Sequence, residues 1–275
     1  MKKGSLLFFA IIFAFIFALS ACGSNKDENS SADNGGKASK KTLRVVTNAA
    51  YAPFESMDKG KIVGFDVDLI KAVAKEAGYN VKIENLGWDP MFAEIQGKNA
   101  DLSVSAITIN DDRKQTFDFS NPYFLSTNEI LIPKDSNIAS ADDLKGKIVA
   151  VQNGTTGQDA VSAILGKNNK NLKKFEDNNL AIMELNKGGA DAVVADNTVV
   201  EEYAKNNPDK NLKYIEDNKN FAPEYYGIMF PKGSKLKAEF NKALNTLLDN
   251  GTYAKIYKDY FGTEPDIDKL KAQAK

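Results

Sequence analysis

Histidine is absent from this chain, and cysteine occurs only once. Without an imidazole there is no Ser-His-Asp or Cys-His mechanism and no histidine-ligated metal site. The single cysteine, Cys22, excludes internal disulfides and a zinc site built from several thiolates. The 36 basic and 37 acidic side chains among 275 residues give no basic field for a nucleic acid. We therefore expect no catalysis of these kinds, no cofactor, no metal and no nucleic-acid partner.

One apolar run lies near the N-terminus. Residues 6–19 carry no charge, include five Phe and follow a short basic start. This run is shorter than the roughly 20 residues that cross a bilayer, and it fits the hydrophobic region of a secretion signal. It ends in LSAC at 19–22, which resembles a bacterial lipobox. We expect residues 1–21 to be a signal peptide and Cys22 to be lipidated; the alternative is an ordinary signal peptide with a chance cysteine.

No large apolar side chain occurs in residues 23–41. Such a segment cannot bury enough surface to offset the conformational entropy lost on folding. The composition therefore predicts that 22–41 is a flexible tether and that the folded body begins near Thr42. We expect that body to be extracytoplasmic, with the N-terminal lipid as its only attachment to the membrane.

The body alternates strand and helix patterns. Short β-branched and apolar segments at 43–47, 81–83, 102–105, 147–151 and 192–194 predict strands. Helical spacing of apolar residues lies between them, and Asp89-Pro90 is typical of an N-cap followed by the first helical residue. The alternation predicts an α/β fold of mostly parallel sheets covered by helices. One series ends near 122 and another begins near 128, which predicts two lobes.

Polar segments follow several predicted strands, at 48–54, 105–113, 152–156 and 195–196. Binding sites in open α/β sheets lie beyond the carboxyl ends of the strands. If the two lobes face each other, these segments line one cleft. The alternative is four unrelated solvated loops.

Arg113 is one of only two arginines, against 34 lysines. A guanidinium can hold a carboxylate through two parallel hydrogen bonds, which an ammonium cannot do. The alternative is a surface ion pair with Asp111 or Asp112. Thr108, five residues earlier, has a hydroxyl that can accept from an ammonium.

Two further features complete the outline of a polar ligand. Gly154-Thr155-Thr156-Gly157 opens a predicted helix, whose free N–H groups favour an anion, although the phosphate-loop signature is missing. Asp196 ends an apolar strand and either pairs with an ammonium or caps the next helix. A carboxylate clamp and an ammonium acceptor together match a free α-amino acid. Tyr51 and Trp88 offer aromatic faces for its side chain.

Eight motifs match a known family in order: YAPFE at 51–55, GFDVDL at 64–69, SAITINDDR at 105–113, FDFSNPY at 117–123, DLKGK at 143–147, GTTG at 154–157, DAV at 191–193 and NGTY at 250–253. Over about 42–265 the chain resembles the amino-acid-binding class of bacterial solute-binding proteins that serve ATP-driven importers. The resemblance implies a two-lobed periplasmic-binding-protein fold of type II. It divides the chain into lobe 1 (42–122 and 226–275), lobe 2 (128–220) and hinge strands at 123–127 and 221–225.

The resemblance also implies a role for each site residue. Arg113 and the Thr155-Thr156 turn would hold the ligand carboxylate. Thr108, the Ala106 carbonyl and Asp196 would hold its ammonium, although the family often has glycine or serine where Ala106 stands. The remaining predicted positions are Tyr51 and Trp88 around the side chain, with Asn48, Ser105 and Gln152 near its tip.

The ligand is less clearly indicated. GWDPMF at 87–92 and QNGTTGQ at 152–158 resemble arginine-binding members from Gram-positive bacteria. Binders of cationic side chains in this family commonly have aspartate where this chain has Asn48, and an amide there suits glutamine as well. We expect arginine or another basic amino acid, with glutamine as the alternative.

The implied partners are the free amino acid, a membrane permease and its ATPase, for a chain expected to be a monomer. Two other classes remain open. A small-acid dehydratase on this scaffold needs a cleft carboxylic acid, and Glu55 and Glu94 are the candidates, although both are interpreted as surface residues. A sensory lipoprotein without a transporter is the other.

Overall fold

The computed structural model describes residues 40–274. The predicted signal peptide 1–21, the predicted lipidation site Cys22 and most of the predicted tether lie outside the described residues. The strands of the described range are β1 (Thr42–Thr47), β2 (Ala50–Tyr51), β3 (Glu55–Asp58), β4 (Lys61–Val63), β5 (Asn80–Asn85), β6 (Leu102–Ser103), β7 (Phe117–Phe119), β8 (Phe124–Ser126), β9 (Asn128–Pro133), β10 (Val149–Gln152), β11 (Leu172–Phe175), β12 (Ala192–Asp196), β13 (Leu212–Glu216), β14 (Glu224–Tyr226) and β15 (Met229–Pro231).

The helices cover the remaining regular segments. They are α1 (Phe65–Glu76), α2 (Trp88–Gln96), α3 (Asp111–Thr116), α4 (Thr156–Leu165), α5 (Asn178–Asn186), α6 (Asn197–Asn206), α7 (Leu236–Asp249), α8 (Thr252–Phe261) and α9 (Ile267–Ala272). Among residues 40–274, none of the helices has the length and apolar character needed to span a bilayer.

Two five-stranded sheets define the two lobes. The first sheet has the order β5-β1-β6-β15-β7 and the second has the order β11-β10-β12-β9-β13. In each, the pairs between the first three strands are parallel, whereas β15 and β9 pair antiparallel with both neighbours. Four of the five strands in each sheet therefore run in one direction, as expected for mostly parallel sheets, and one strand, β15 or β9, runs against the βα series.

Both sheets are covered on two faces. In the second lobe, Ile130 and Val149 belong to one buried cluster, whereas their chain neighbours Leu131 and Ala150 belong to another. In the first lobe, Val45 and Val46 divide in the same way. Successive side chains of a strand point to opposite faces, so a run of apolar residues is buried on both sides only when helices cover both faces.

Two short strands link the sheets. Strand β8 pairs antiparallel with β14, with Ser126 opposite Glu224 and Phe124 opposite Tyr226. Strand β8 follows the first series of elements, and β14 leads the chain back to β15 of the first sheet. The first lobe is thus assembled from both ends of the described range, and the lobes face each other beside this pair.

The start of α2 differs from the sequence prediction. The helix begins at Trp88 and its N-cap is Gly87, with φ of 84°, so Asp89 and Pro90 lie inside the first turn. The first N–H groups of a helix have no partner within it, so a proline in this turn costs no hydrogen bond. The consequence is that Trp88, at 8% exposure, packs at the helix start.

Candidate ligand-binding site

A cavity of about 400 Å³, including its opening, lies between the two lobes. All eleven residues predicted to bind the ligand line it: Asn48, Tyr51, Trp88, Ser105, Ala106, Thr108, Arg113, Gln152, Thr155, Thr156 and Asp196. Five residues that were not predicted as ligand contacts also line it: Glu55, Asn128, Gly157, Asn178 and Ala195. The four polar segments therefore share one cavity instead of forming separate loops.

Strand ends place these side chains. Asn48 follows β1, and Gln152 and Asp196 are the last residues of β10 and β12. Thr155 is the N-cap of α4, and its side chain accepts from the backbone N–H of Gln158. Because parallel strands end at the same edge of a sheet, polar residues at these ends meet at the cleft.

Arg113 lines the cavity where the first lobe contacts the second. Its Nη1 donates to the Thr108 carbonyl at 2.8 Å and its Nη2 donates to the Gly154 carbonyl at 3.3 Å. The guanidinium carbon is 5.4 Å from the ring centroids of both Trp88 and Phe92, within the range of a cation–π contact. Arg113 makes no ion pair with the adjacent aspartates in the described part of the chain. Its guanidinium has five N–H donors, so donors remain for a carboxylate.

Asp196 accepts hydrogen bonds across the cleft. Its Oδ2 accepts from the Tyr51 hydroxyl at 2.7 Å and from the Tyr226 hydroxyl. The residue occupies the N-cap position of α6, yet its side chain makes no capping hydrogen bond. Burial, followed by the charge of Glu224, raises the pKa of Asp196 to about 7. A buried carboxyl of this kind gains from a cationic partner, because a nearby positive charge favours its ionised form.

The N-terminus of α4 faces the cavity with backbone donors. The Thr155 hydroxyl donates to the Gln152 carbonyl at 2.8 Å, and the Thr156 hydroxyl donates to Glu224 at 2.8 Å. Since both hydroxyl hydrogens have partners, the backbone N–H groups of the first helical turn are the donors for an anion. Gly157 lets the turn lie against β12, because a Cβ there would be 2.9 Å from the Val194 carbonyl oxygen.

Five residues are joined by a series of hydrogen bonds that includes the backbone N–H of Asn48, and we call them the amide network: Glu55, Ser105, Asn48, Gln152 and Asn178. Ser105 donates to Glu55 at 2.8 Å and accepts from the Asn48 backbone N–H at 3.0 Å. Gln152 Nε2 donates to Asn48 Oδ1 at 3.1 Å, and Asn178 donates to Gln152 Oε1 at 2.9 Å. The residues predicted to lie near the tip of the ligand side chain, Asn48, Ser105 and Gln152, thus contact one another.

Glu55 is fully buried and lines the cavity, which corrects its interpretation as a surface residue. Its carboxyl interacts with that of the buried Asp66, and neither Glu55 Oε2 nor Asp66 Oδ1 accepts a hydrogen bond from another group in residues 40–274. Burial, then the Asp66 charge, raises the pKa of Glu55 well above its usual value, and burial raises the pKa of Asp66 to about 6. A proton held between two neighbouring buried carboxyls offsets the repulsion between their charges, so this pair favours binding one proton. Glu94, in contrast, pairs with Arg44 away from the cavity.

Ala106 has a left-handed backbone, with φ of 45°. Its N–H donates to Asp66 Oδ2 at 2.7 Å, and Asp66 Oδ2 also accepts from Tyr123 at 2.7 Å. A residue with a Cβ is strained in this region, whereas glycine is not. This geometry gives a physical reason for the glycine that the family often has at this position.

The aromatic side chains take part in closing the cleft. Trp88 Nε1 donates to the Gly154 carbonyl at 3.3 Å, and Tyr51 stacks on Phe54 with 6.1 Å between ring centroids. The pairs Tyr51–Asp196, Asn48–Gln152 and Trp88–Gly154 each join the first lobe to the second. The lobes are therefore in direct contact across the cavity.

Glu224 was not predicted from the sequence. It lies behind the wall of the cavity, on β14, and its Oε2 accepts from the hydroxyls of Thr108 at 2.7 Å and Thr156 at 2.8 Å. Its Oε1 accepts from Asn128 Nδ2 at 2.7 Å. We call these four residues together with Arg113 the charged network. Nothing local marks Glu224 in the sequence, because its partners are 68 to 116 positions away along the chain.

Comparison with known proteins identifies the family of this chain. The family described as bacterial extracellular solute-binding proteins, family 3, matches residues 43–263. The chain is 43% identical to the probable histidine-binding protein of Neisseria gonorrhoeae, over 90% of this chain and 92% of that protein. It is 36% identical to the arginine-binding extracellular protein ArtP of Bacillus subtilis, over 96% and 100%.

A solved structure is similar over most of the described range. The arginine-, lysine-, histidine-binding protein ArtJ of Geobacillus stearothermophilus superposes with a TM-score of 0.83 and 55% identity, covering 84% of this chain and all of that one. The family match, the two-lobed fold and the cavity between the lobes agree. This chain belongs to the family 3 bacterial extracellular solute-binding proteins.

Proposed function

We propose that this protein binds a free basic amino acid, arginine first among them, and delivers it to an ATP-driven importer. The observation that carries the proposal is the composition of one cavity: Arg113 and a helix N-terminus as anion donors, Asp196 as a cation acceptor, and Glu55 as a second carboxyl. A zwitterion with a cationic side chain supplies the opposite charge to each of these. The named relatives are binders of arginine, histidine or lysine, which supports the same ligand class.

The backbone of the amino acid is assigned to the residues that were predicted for it. Arg113 and the N–H groups of the Thr155-Thr156 turn hold the carboxylate. Asp196, Thr108 and the Ala106 carbonyl hold the ammonium. Tyr51 and Trp88 pack on the side chain. The hydrogen bonds of Arg113 and Asp196, and the presence of the other residues in the cavity wall, support these assignments.

The side chain of the ligand is assigned to the amide network. Glu55 is the one lining carboxyl of that network; it accepts a hydrogen bond from Ser105, and Asn48 and Gln152 line the same cavity. A guanidinium has five donors, and these oxygens can accept them. A glutamine side chain is the alternative, because the neutral amides of Asn48 and Gln152 can donate to its amide group and accept from it.

Binding is proposed to proceed by lobe closure. Segments 123–127 and 221–225 act as hinge strands between lobe 1 (42–122 and 226–275) and lobe 2 (128–220). Only contacts that exist in the closed state can favour closure. Gln152, Thr155, Thr156 and Asp196 lie on the second lobe and supply such contacts to a ligand held on the first.

We also propose a cellular location and partners for this protein. Residues 1–21 are a secretion signal, Cys22 carries the lipid, and the monomeric body is held at the extracytoplasmic face of the cell membrane, where it meets a permease and its ATPase. The anchor is tested by mass spectrometry of the membrane fraction. An unmodified Cys22 would contradict it.

The ligand is tested by thermal unfolding in the presence of each of the twenty amino acids. A ligand at 100 times its Kd stabilises the folded state by about 2.7 kcal/mol. We expect the largest increases in melting temperature with arginine and other basic amino acids. A panel in which glutamine alone responds would select the alternative, and a panel without any response would contradict the proposed function.

A further inference from the structure

Glu224 connects the two lobes through residues that line the cavity. Its Oε2 accepts from Thr108 on the first lobe and from Thr156 on the second, and its Oε1 accepts from Asn128. Glu224 itself is half-buried on the linking strand β14 and does not line the cavity. Any effect of its charge on a ligand therefore acts through the side chains in front of it.

A hydroxyl group has one hydrogen and two lone pairs. The hydrogens of the Thr108 and Thr156 hydroxyls point to Glu224, since a carboxylate can only accept. Their oxygens are therefore limited to accepting from a molecule in the cavity. Asp196, which accepts from Tyr51 and Tyr226, is an acceptor in the same way. This part of the wall consequently favours an N–H donor with positive charge.

We propose that Glu224 is a positioning residue that makes the cavity selective for an α-ammonium group, by holding the hydroxyls of Thr108 and Thr156 as acceptors. The inference rests on the proposed function, because it concerns how the site distinguishes an amino acid from the same molecule without its α-amino group. Glu224 contributes through hydrogen-bond direction and through its negative charge, whose influence already reaches Asp196.

Replacement of the carboxylate by an amide changes the direction of these hydrogen bonds. In Glu224→Gln, the carbonyl oxygen keeps the hydrogen bond from Asn128, and the NH2 group then faces the two threonine hydroxyls. Each hydroxyl accepts from this NH2 group and turns its own hydrogen toward the cavity, where it opposes an ammonium. In the opposite orientation, the NH2 group of the glutamine meets the NH2 group of Asn128, so two donors face each other and the hydrogen bond from Asn128 is lost. Both orientations also remove the negative charge.

The test compares two ligands on one set of variants. L-Arginine and 5-guanidinopentanoic acid, which lacks only the α-amino group, are titrated calorimetrically against the wild type and Glu224→Gln. We expect Glu224→Gln to weaken L-arginine binding by about tenfold and binding of the analogue by less than about twofold. Glu76→Gln removes the same charge from the exposed end of α1 and is expected to change neither affinity.

A second variant tests the same role without altering Glu224. Thr108→Val removes one acceptor and is expected to weaken L-arginine selectively, by about fivefold or more. In the Glu224→Gln background it should add less than about twofold, because the two residues act through one hydrogen bond. Melting temperatures without ligand are compared for all variants, and if Glu224→Gln does not fold, the Thr108→Val comparison decides the matter.

Equal weakening of both ligands by Glu224→Gln, or unchanged L-arginine affinity, would overturn this inference. So would a Thr108→Val variant that spares L-arginine. The proposed function fails by a different result, namely a wild-type protein that does not bind basic amino acids in the thermal panel. The two failures are therefore distinguishable.

Discussion

In the charged network, Arg113 can only donate and the Glu224 carboxylate can only accept, so the Thr108, Thr156 and Asn128 groups that meet Glu224 are held as donors toward it. In the amide network, Asn48, Gln152 and Asn178 are neutral amides, and burial beside Asp66 raises the pKa of Glu55 well above its usual value, which favours a proton on this carboxyl. An amide presents both a donor and an acceptor, and a carboxyl that holds a proton can donate as well as accept. The first network suits the parts that all α-amino acids have in common, whereas the second can adapt to more than one side chain.

This contrast explains why the ligand class is better defined than the ligand. A carboxylate and an ammonium at fixed separation require fixed charges, which Arg113 and Asp196 supply at one cavity. The side chain meets groups whose charge depends on the ligand and on pH. Four experiments separate the two networks.

Removal of Asp196 should have the largest effect. Asp196→Ala leaves the α-ammonium of the ligand buried without its carboxylate, at a cost on the order of 3–5 kcal/mol, or more than about 100-fold in Kd. Calorimetric titration with arginine and with glutamine should show this loss for both ligands. Asp259→Ala, at an exposed position of α8, is the control. A change of less than about threefold with Asp196→Ala would refute its assignment to the ammonium.

Replacement of Arg113 by lysine tests the guanidinium geometry. Arg113→Lys keeps the positive charge but loses the planar pair of donors, so we expect about tenfold weaker binding of every amino acid. Arg44→Lys is a matched control, because Arg44 is the other arginine and pairs with Glu84 and Glu94 outside the cavity. If both variants bind like the wild type, the carboxylate is held elsewhere.

Glu55→Gln should affect the two candidate ligands differently. A neutral amide at this position loses the attraction to a guanidinium but can still bond a glutamine side chain, so we expect about tenfold weaker arginine binding and less than about threefold change for glutamine. Both are measured by calorimetry at constant pH. Parallel losses for the two ligands would show that Glu55 supports the site structurally and does not select the side chain.

The pH dependence sharpens the same comparison and should be the smallest effect. Burial raises the pKa of Asp66 to about 6 and that of Asp196 to about 7, and the pKa of Glu55 lies well above its usual value. A cationic ligand favours the ionised carboxyls, so binding releases protons and affinity rises with pH. Every amino acid gains from the ionisation of Asp196, but only a cationic side chain gains from the Glu55–Asp66 pair.

The ratio of the arginine affinity to the glutamine affinity is measured at several pH values between about 5 and 8. We expect this ratio to rise with pH, by at most about tenfold per unit for one released proton. A ratio that stays constant would show that the pair keeps its proton when arginine binds. The same titration with Glu55→Gln is the control, because that variant has no shared proton to lose.

Much of the fold was accessible from local pattern. The strand predicted at 147–151 corresponds to the buried strand β10 at Val149–Gln152, and the helical spacing between strands predicted the covering helices. The single antiparallel strand of each sheet was not predicted, because the direction of β15 and β9 depends on how the chain crosses between lobes. The start of α2 was misplaced by two residues, since a glycine at positive φ began the helix earlier than Asp89 indicated.

Single residues of the site also differ in whether local sequence or distant contacts reveal their role. Arg113 was identifiable because arginine is rare in this chain, and Asp196 because it ends an apolar strand. Whether Asp196 caps α6 or faces the cleft was open until its hydroxyl partners Tyr51 and Tyr226 were located. Glu224 was missed, and Glu55, named only as a candidate acid of the dehydratase alternative, was interpreted as a surface residue, because burial and distant partners leave no trace in the neighbouring sequence.

By itself, the sequence determined which chemical groups this protein has and where the strands end, because both depend on residues that are close together in the chain. It carries no imidazole and few arginines, and its polar segments follow buried strands. Tertiary structure alone decided which of these groups meet, which carboxyls are buried as neighbours and which hydroxyls point away from the cavity. Those properties depend on desolvation and on contacts between different elements of the fold, up to 145 positions apart in the chain, and they arise only when the two lobes fold and face each other.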